Sequence, residues 1–193
     1  MPVSRSVASA LEDLRRLHDE VDRLAESIAA RHGPRLACRA RCTSCCSDDL
    51  TVFEIEAERI RRECGAVLLG RPAPVGRCAL LSEEGLCRAY GQRPYVCRTQ
   101  GLPLRWLDEP APGEVVERRD VCPVSEAAIP LLDLDPDDCW TIGPFEGRLA
   151  ALQASLGVGP RRIRLRALFG PGQPEPGPRR AAALRPSGRR PRR

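Results

Sequence analysis

The chain has no lysine, few aromatic residues and no long apolar run, and each shortage narrows what it can be. All 31 basic residues are arginine, alongside 16 glycines and 19 prolines, a bias that reads as the base composition of a genome and not as function. Aromatics make up 4% of a sequence that is 42% hydrophobic, so the core is expected to rest on Leu, Val, Ile and Ala instead of large rings. A core of that kind gains from a metal cross-link. The first thirty residues are charged throughout, without the apolar stretch and small-residue cleavage site of an export signal, and no segment is long and apolar enough to span a bilayer.

What is abundant is cysteine, at ten residues. In a chain without an export signal these thiols are expected in a reducing, cytoplasmic compartment, where metal ligation is favoured over disulfides. The net charge of +5 is unevenly spread, because residues 161–193 hold eleven arginines and one acid, Glu175, which leaves the rest of the chain acidic. That is not the uniformly basic surface of a nucleic-acid-binding domain.

Apolar residues Val7, Leu14, Val21 and Ile28, with Leu17 and Leu24, predict an amphipathic helix over 6–31, capped by Ser6 and stopped at Gly33-Pro34. The stripe either packs on its own domain or serves as a short dimerising seam. A strand at 50–52 and a helix over 53–63 ending at Gly65 follow. Residues 70–98 hold Gly, Pro and Cys in an order that local propensity alone would not fold. Residues 102–107 and 114–119 read as a hairpin with a loop too long for the two-residue type, then comes a short helix at 125–134 broken by Pro130, and a better one over 144–156 with Pro at its start. From 171 onward almost nothing apolar is available to bury. The expectation is an α+β fold, mostly helical: a small irregular metal-stabilised domain with an N-terminal amphipathic helix and a short hairpin. Its expected parts are 1–34 (helix), 35–124 (cysteine cluster), 125–169 (helical extension) and 170–193 (disordered Arg/Pro/Gly-rich tail).

The run CRARCTSCC places Cys38, Cys42, Cys45 and Cys46 within nine residues, and Cys78, Cys87, Cys97 and Cys122 follow. Thiolates are soft enough for zinc, iron–sulfur clusters or cuprous copper, and short spacings let sulfurs converge without long loop closure. Adjacent Cys45 and Cys46 cannot easily chelate one tetrahedral ion together, so they are candidates for different centres. Eight thiolates would fill two four-sulfur sites, or one site with the remainder exchangeable or free. Arg39, Arg41, Arg77, Arg88, Arg93 and Arg98 lie near the cysteines, where they can offset thiolate charge or simply be solvated.

CRARCTSCC followed by GRCALLSEEGLCRAYGQRPYVCR resembles the CxxCxxCC domain, a zinc- or iron-chelating cysteine-cluster family often called YkgJ-type. The similarity runs from about residue 36 to 124 and rests on Cys38, Cys42, Cys45, Cys46, Cys78, Cys87, Tyr90, Arg93, Pro94, Cys97 and Arg98, with Cys122-Pro123 trailing. Three residues separate Cys38 from Cys42 where the family name implies two. The resemblance implies metal chelation by the eight cysteines, with zinc or iron as cofactor, an iron–sulfur cluster being one form of the latter, and Tyr90, Arg93 and Arg98 as supporting groups around the metal. A relative, flagellin lysine-N-methylase, joins such a cluster to methyl transfer, but no Gly-rich loop follows a strand here as in a cofactor-binding methyltransferase core.

Cys64 and Cys139 fall outside the pattern and suit small buried hydrophobes, His18 and His32 suit helix packing, and Glu83 and Glu84 suit a solvated turn. The expected function is metal binding without catalysis. Its alternatives are an iron–sulfur enzyme, prompted by Cys122-Pro123, and a zinc module touching nucleic acid through the arginine tail. No catalytic residues stand out. The expected partners are an unidentified protein, no membrane and, with so few aromatics in the tail, no nucleic acid. The expected state is a monomer or a weak dimer through the N-terminal helix.

Overall fold

The computed structural model describes residues 6–126 and 129–170. Helix α1, Val7–His32, begins where Ser6 Oγ accepts from Ser9 N and ends at Gly33, whose φ of 52° is the left-handed stop. Ala10, Leu14, Leu17, Val21, Ala25 and Ile28 recur at helical spacing and are buried in the chain's own core, while the seam residues Val7 and Leu24 stay exposed.

Strand β1, Thr51–Phe53, leads into α2, Glu54–Glu63. The end of α2 differs from expectation: Cys64 closes it and Gly65 begins the short helix α3, Gly65–Leu68, because the Cys64 carbonyl accepts from Val67 N and Leu68 N and restarts the turn. The chain reaches α4, Tyr95–Arg98, through loops, then forms β2, Leu104–Ala111, and β3, Glu114–Asp120. The expected long hairpin loop is in fact strand. Pro110, which has no N–H for the ladder, is absorbed where the register shifts between Asp108 and Ala111, and the chain turns tightly at Pro112-Gly113 with Gly113 at φ 80°.

Around Pro130 the expected single helix is instead α5, Pro123–Glu126, and a 3₁₀ turn at Leu131–Asp133, with 127–128 outside the described residues. Strand β4, Trp140–Thr141, joins β2 in parallel, giving the order β3-β2-β4. Helix α6, Pro144–Ala154, carries Pro in its first turn. Strand β5, Arg162–Arg164, pairs antiparallel with β1, and a 3₁₀ turn follows at Leu165–Phe169. The arginine-rich tail from 171 lies outside the described residues. This is a small α+β protein, and no described helix is long and apolar enough to cross a membrane.

Three apolar clusters hold the described chain together, two of them large and a third small one of Val121, Ile129, Leu134 and Cys139. The first joins α1 to Phe53, Ile55, Tyr95, Leu102, Trp140 and α6. The few rings are concentrated here: Trp140 stacks on Phe145 at 5.3 Å between centroids, and its Nε1 donates to the Tyr95 hydroxyl at 2.8 Å. The second joins Val52, Ala57 and Ile60 to Leu80, Leu81, Ala89, Ile163 and Leu165. Cys78 belongs to this second cluster, and Cys46 and Cys87 pack against it.

Candidate metal centre

The 38–46 segment is a pair of tight turns. Cys42 N donates to the Arg39 carbonyl and Cys46 N to the Thr43 carbonyl, each at 3.0 Å. Arg41, in the left-handed region at φ 69°, takes up the third residue between Cys38 and Cys42. Cys78 is tied directly to this turn, its N–H donating to the Cys46 carbonyl at 2.9 Å. Cys87 sits on a small loop closed by its bridge to Leu81 and by Ser82 N donating to the Leu86 carbonyl at 2.8 Å. Gly85, at φ 77°, lets that loop come close to Thr43. Cys97 rides on α4, whose first residue Tyr95 donates its N–H to Glu56 Oε1 at 2.7 Å. Cys122 is clipped to the start of the cluster, since Ser125 N donates to the Cys122 carbonyl and Ser125 Oγ accepts from Ala37 N at 3.0 Å.

The loop 70–89 is ordered by ionic anchors that the sequence did not reveal. Arg166, buried, donates from Nε to Asp48 Oδ1 at 2.6 Å and from its two terminal nitrogens to the carbonyls of Ala73, Pro74 and Arg77. Asp48 Oδ2 accepts from Gly76 N at 2.9 Å, so one buried ion pair shapes the approach to Cys78. Arg88 reaches the carbonyls of Arg71 and Ala79 and lies over the Phe169 ring. Both anchors join residues far apart in sequence, Arg166 with Asp48 118 positions away and Arg88 with Phe169, which no local pattern displays.

All ten cysteines are free thiols. Burial, followed by the neighbouring thiols Cys42, Cys45 and Cys122, raises the pKa of Cys38, and Gly101 leaves room for its sulfur, since a Cβ there would lie 2.9 Å from Cys38 Sγ. Burial also raises Cys78, Cys87 and Cys97. For Cys97 the next contributors are Cys78, Cys87 and Cys45, and for Cys87 the guanidinium groups of Arg93 and Arg88 work in the opposite direction. A side-chain hydrogen bond between the adjacent thiols lowers the pKa of Cys46 and raises that of Cys45. Cys46 has Cys78, Cys97 and Cys87 as further thiol neighbours.

Several of these thiols lie near enough to influence one another's protonation, yet among the described residues no group of three or more His, Cys, Asp or Glu side chains is placed to hold a metal ion. The donors suit zinc or iron by their chemistry, being free and soft, and not by preformed geometry.

The three expected supporting residues take different places. Tyr90 is 66% exposed, with Arg93 stacked on its ring at 4.4 Å. Arg93 and buried Arg98 both pair with Asp22 of α1, which fastens the Cys97 turn to that helix. Cys64 and Cys139 are buried in apolar clusters. His18 and His32 are buried as well: His18 lies between Glu56 and Arg59, and His32 Nε2 is 2.8 Å from the Asp138 carbonyl. The groove of about 430 Å³ between α1 and α6, lined by Asp13, Arg16, Glu20 and Arg148 among others, contains no cysteine.

Residues 37–123, a little under half of the chain, match the CxxCxxCC family profile, described as "Putative zinc- or iron-chelating domain". No curated protein matches the chain, and no solved structure does.

Proposed function

We propose that the CxxCxxCC domain carried by this chain at residues 37–123 holds zinc or iron through its cysteine thiolates, and that it works as a metal-binding module and not as a catalyst. The observation that supports this reading is that Cys38, Cys42, Cys45, Cys46, Cys78, Cys87, Cys97 and Cys122, spread over 85 positions of sequence, are all free thiols, with the Cys46 turn bonded directly to Cys78 and the Cys122 turn clipped to Ala37 beside Cys38. A bound ion would supply a cross-link between these segments. The chain's own residues bring the sulfurs there. The Asp48–Arg166 pair shapes the loop before Cys78, Glu56 holds the turn bearing Cys97, and the Ser125 clip draws Cys122 to Cys38. Arg88 and Arg93 lie close enough to Cys87 to favour its thiolate.

The non-catalytic part of the reading comes from how the nearby acids are used. Glu56 accepts from Phe53 N, Tyr95 N and His18, and Asp48 is saturated by Arg166 and Gly76 N, so both serve structure. The test is purification of the full chain under anaerobic conditions without a metal-affinity tag, followed by elemental analysis, acid-labile sulfide and a visible spectrum. Stoichiometric zinc or iron is expected, with sulfide and colour identifying an iron–sulfur form. A protein that emerges folded and without stoichiometric metal would sink the proposal.

A further inference from the structure

The sheet β3-β2-β4 ends on one side in β4, two residues long, and on the other in β3, Glu114–Asp120, seven residues with no Pro or Gly. Among the described residues no strand pairs with the outer side of β3. An edge of that length presents a row of unpaired backbone N–H and C=O groups, which proteins ordinarily blunt with short strands, prolines or bulges. Here the register shift places its extra residue in β2, between Asp108 and Ala111, and leaves the outer strand unbroken. The far half of the hairpin is bare: residues 107–111 of β2 are all exposed, Leu107 at 64%, and Val115 of β3 is 65% exposed. The C-terminal end of β3 is occupied, since it meets the 131–133 turn and Arg119 donates to the carbonyls of Leu131 and Leu134. A ribbon with so little burial gains from a further strand.

The sequence of β3, EVVERRD, is complementary to itself when a second copy runs antiparallel beside it. Hydrogen-bonded and non-hydrogen-bonded pairs alternate along an antiparallel ladder, and a two-fold axis must carry each pair onto one of its own kind, so a symmetric register is centred on a single residue. Centred on Glu117, the two strands would set Glu117 against Glu117 and Glu114 against Asp120. Centred on Arg118, they would set Arg118 against itself and draw on the occupied end. Centred on Val115, they would make only three pairs within the strand. Centred on Val116, they set Glu114 opposite Arg118 twice, Val116 opposite Val116 and Val115 opposite Glu117, with no like charges facing and all of these residues in the bare part of the strand. Glu114, Val116 and Arg118 share one face, with Asp108 and Trp106 as the hairpin partners of Val116 and Arg118. Arg118, already 3.4 Å from Asp108, then lies between that carboxylate and Glu114 of the second copy.

We propose that the outer edge of β3 is a self-association surface, on which a second copy of this chain adds its own β3 antiparallel about Val116 and joins two three-stranded sheets into one of six strands. Charge complementarity selects the occupant and the register. The contact uses residues 114–118 from each chain, which places it in the small, weak class of interfaces, populated by concentration.

Sedimentation equilibrium on the reduced full chain should show a reversible monomer–dimer equilibrium that weakens with added salt. Glu114→Arg and Arg118→Glu should each raise the dissociation constant about tenfold or more, because each turns two attractive cross-strand pairs into like-charge pairs. An equimolar mixture of the two variants should associate again, since opposite charges then face each other at both pairs, and the two substitutions in one chain should restore self-association. Arg118→Glu also loses the pair with Asp108, and should it unsettle the hairpin, Glu114→Arg alone still decides the matter. A parent protein that stays monomeric up to roughly millimolar concentration would overturn the proposal, and is the result expected if residues 171–193 cover this edge themselves. A dimer indifferent to Glu114→Arg, as one built on α1 or on bridged thiols would be, or a mixture of folded variants no more associated than either alone, would overturn it as well.

Discussion

Glu56 shows how much one buried carboxylate can fix. It accepts from Phe53 N at the start of α2, from Tyr95 N at the start of α4 and from His18 on α1, so three elements meet on two oxygens. The tautomer of His18 follows, because Arg59 can only donate to Nδ1 and the ring proton must then sit on Nε2, facing Glu56. Burial lowers the His18 pKa, and Glu56 only partly offsets that, so the folded state keeps the ring neutral. An unfolded chain takes up this proton near pH ~6.5 and so binds more protons below that value. The stability contributed here is complete above that pH and is lost as pH falls toward the folded pKa. Denaturant midpoints should therefore drop between about pH 7.5 and about pH 5.5, and His18→Gln, which can accept from Arg59 and donate to Glu56, should flatten that drop. An undiminished drop in the variant would refute the assignment.

Gly101 offers a second test at this scale. Its φ of 95° disfavours any side chain, and an added Cβ would meet Cys38 Sγ at 2.9 Å. Gly113 has a similar φ of 80° but open space around it. Both alanine variants should lose about 1–3 kcal/mol from backbone strain. Only Gly101→Ala should also weaken zinc retention, and equal retention in the two would show that Cys38 is not a ligand.

Among the elements, those built from local chemistry were legible and those built from distant partners were not. The α1 stripe with its Ser6 and Gly33 boundaries could be read directly, as could the strands of the hairpin. The hairpin turn is tighter than the sequence suggests, because the register shift between Asp108 and Ala111 takes Pro110 into the strand. Strand β5 is three residues long with two arginines, and only its pairing with β1 makes it a strand. The cysteines of the candidate centre were visible from their spacing, whereas the loop 70–89 that delivers two of them was not. Its order comes from Asp48 and Arg166, 118 residues apart. Their side chains are 1% and 4% exposed, so removing one partner leaves the other charge buried and unpaired. Asp48→Asn or Arg166→Met should cost about 3–5 kcal/mol in urea unfolding, and the joint replacement Asp48→Leu with Arg166→Met should cost less than either. If the single variants unfold like the parent, the loop is ordered by something else.

At the scale of the whole molecule, the question is how far the fold depends on metal. In an isolated zinc finger the ion supplies nearly all the folding free energy, and chelation unfolds the chain. Here the cluster that joins α1, Tyr95, Trp140 and α6 contains no cysteine, and its stacked rings and buried Trp140–Tyr95 hydrogen bond are complete without one. The second cluster is different, since Cys78 is part of it and Cys46 and Cys87 pack against it. Metal withdrawal should therefore act unequally. The helical circular dichroism of α1 and α6 should persist, while amide hydrogen exchange should accelerate across residues 73–97, where backbone order rests on loops and ion pairs instead of long helices. The melting temperature should fall with the free metal concentration, because an ion that binds only the folded state stabilises it by mass action. Collapse of the helical signal together with the loop protection would mean that the first cluster cannot stand without the thiol centres.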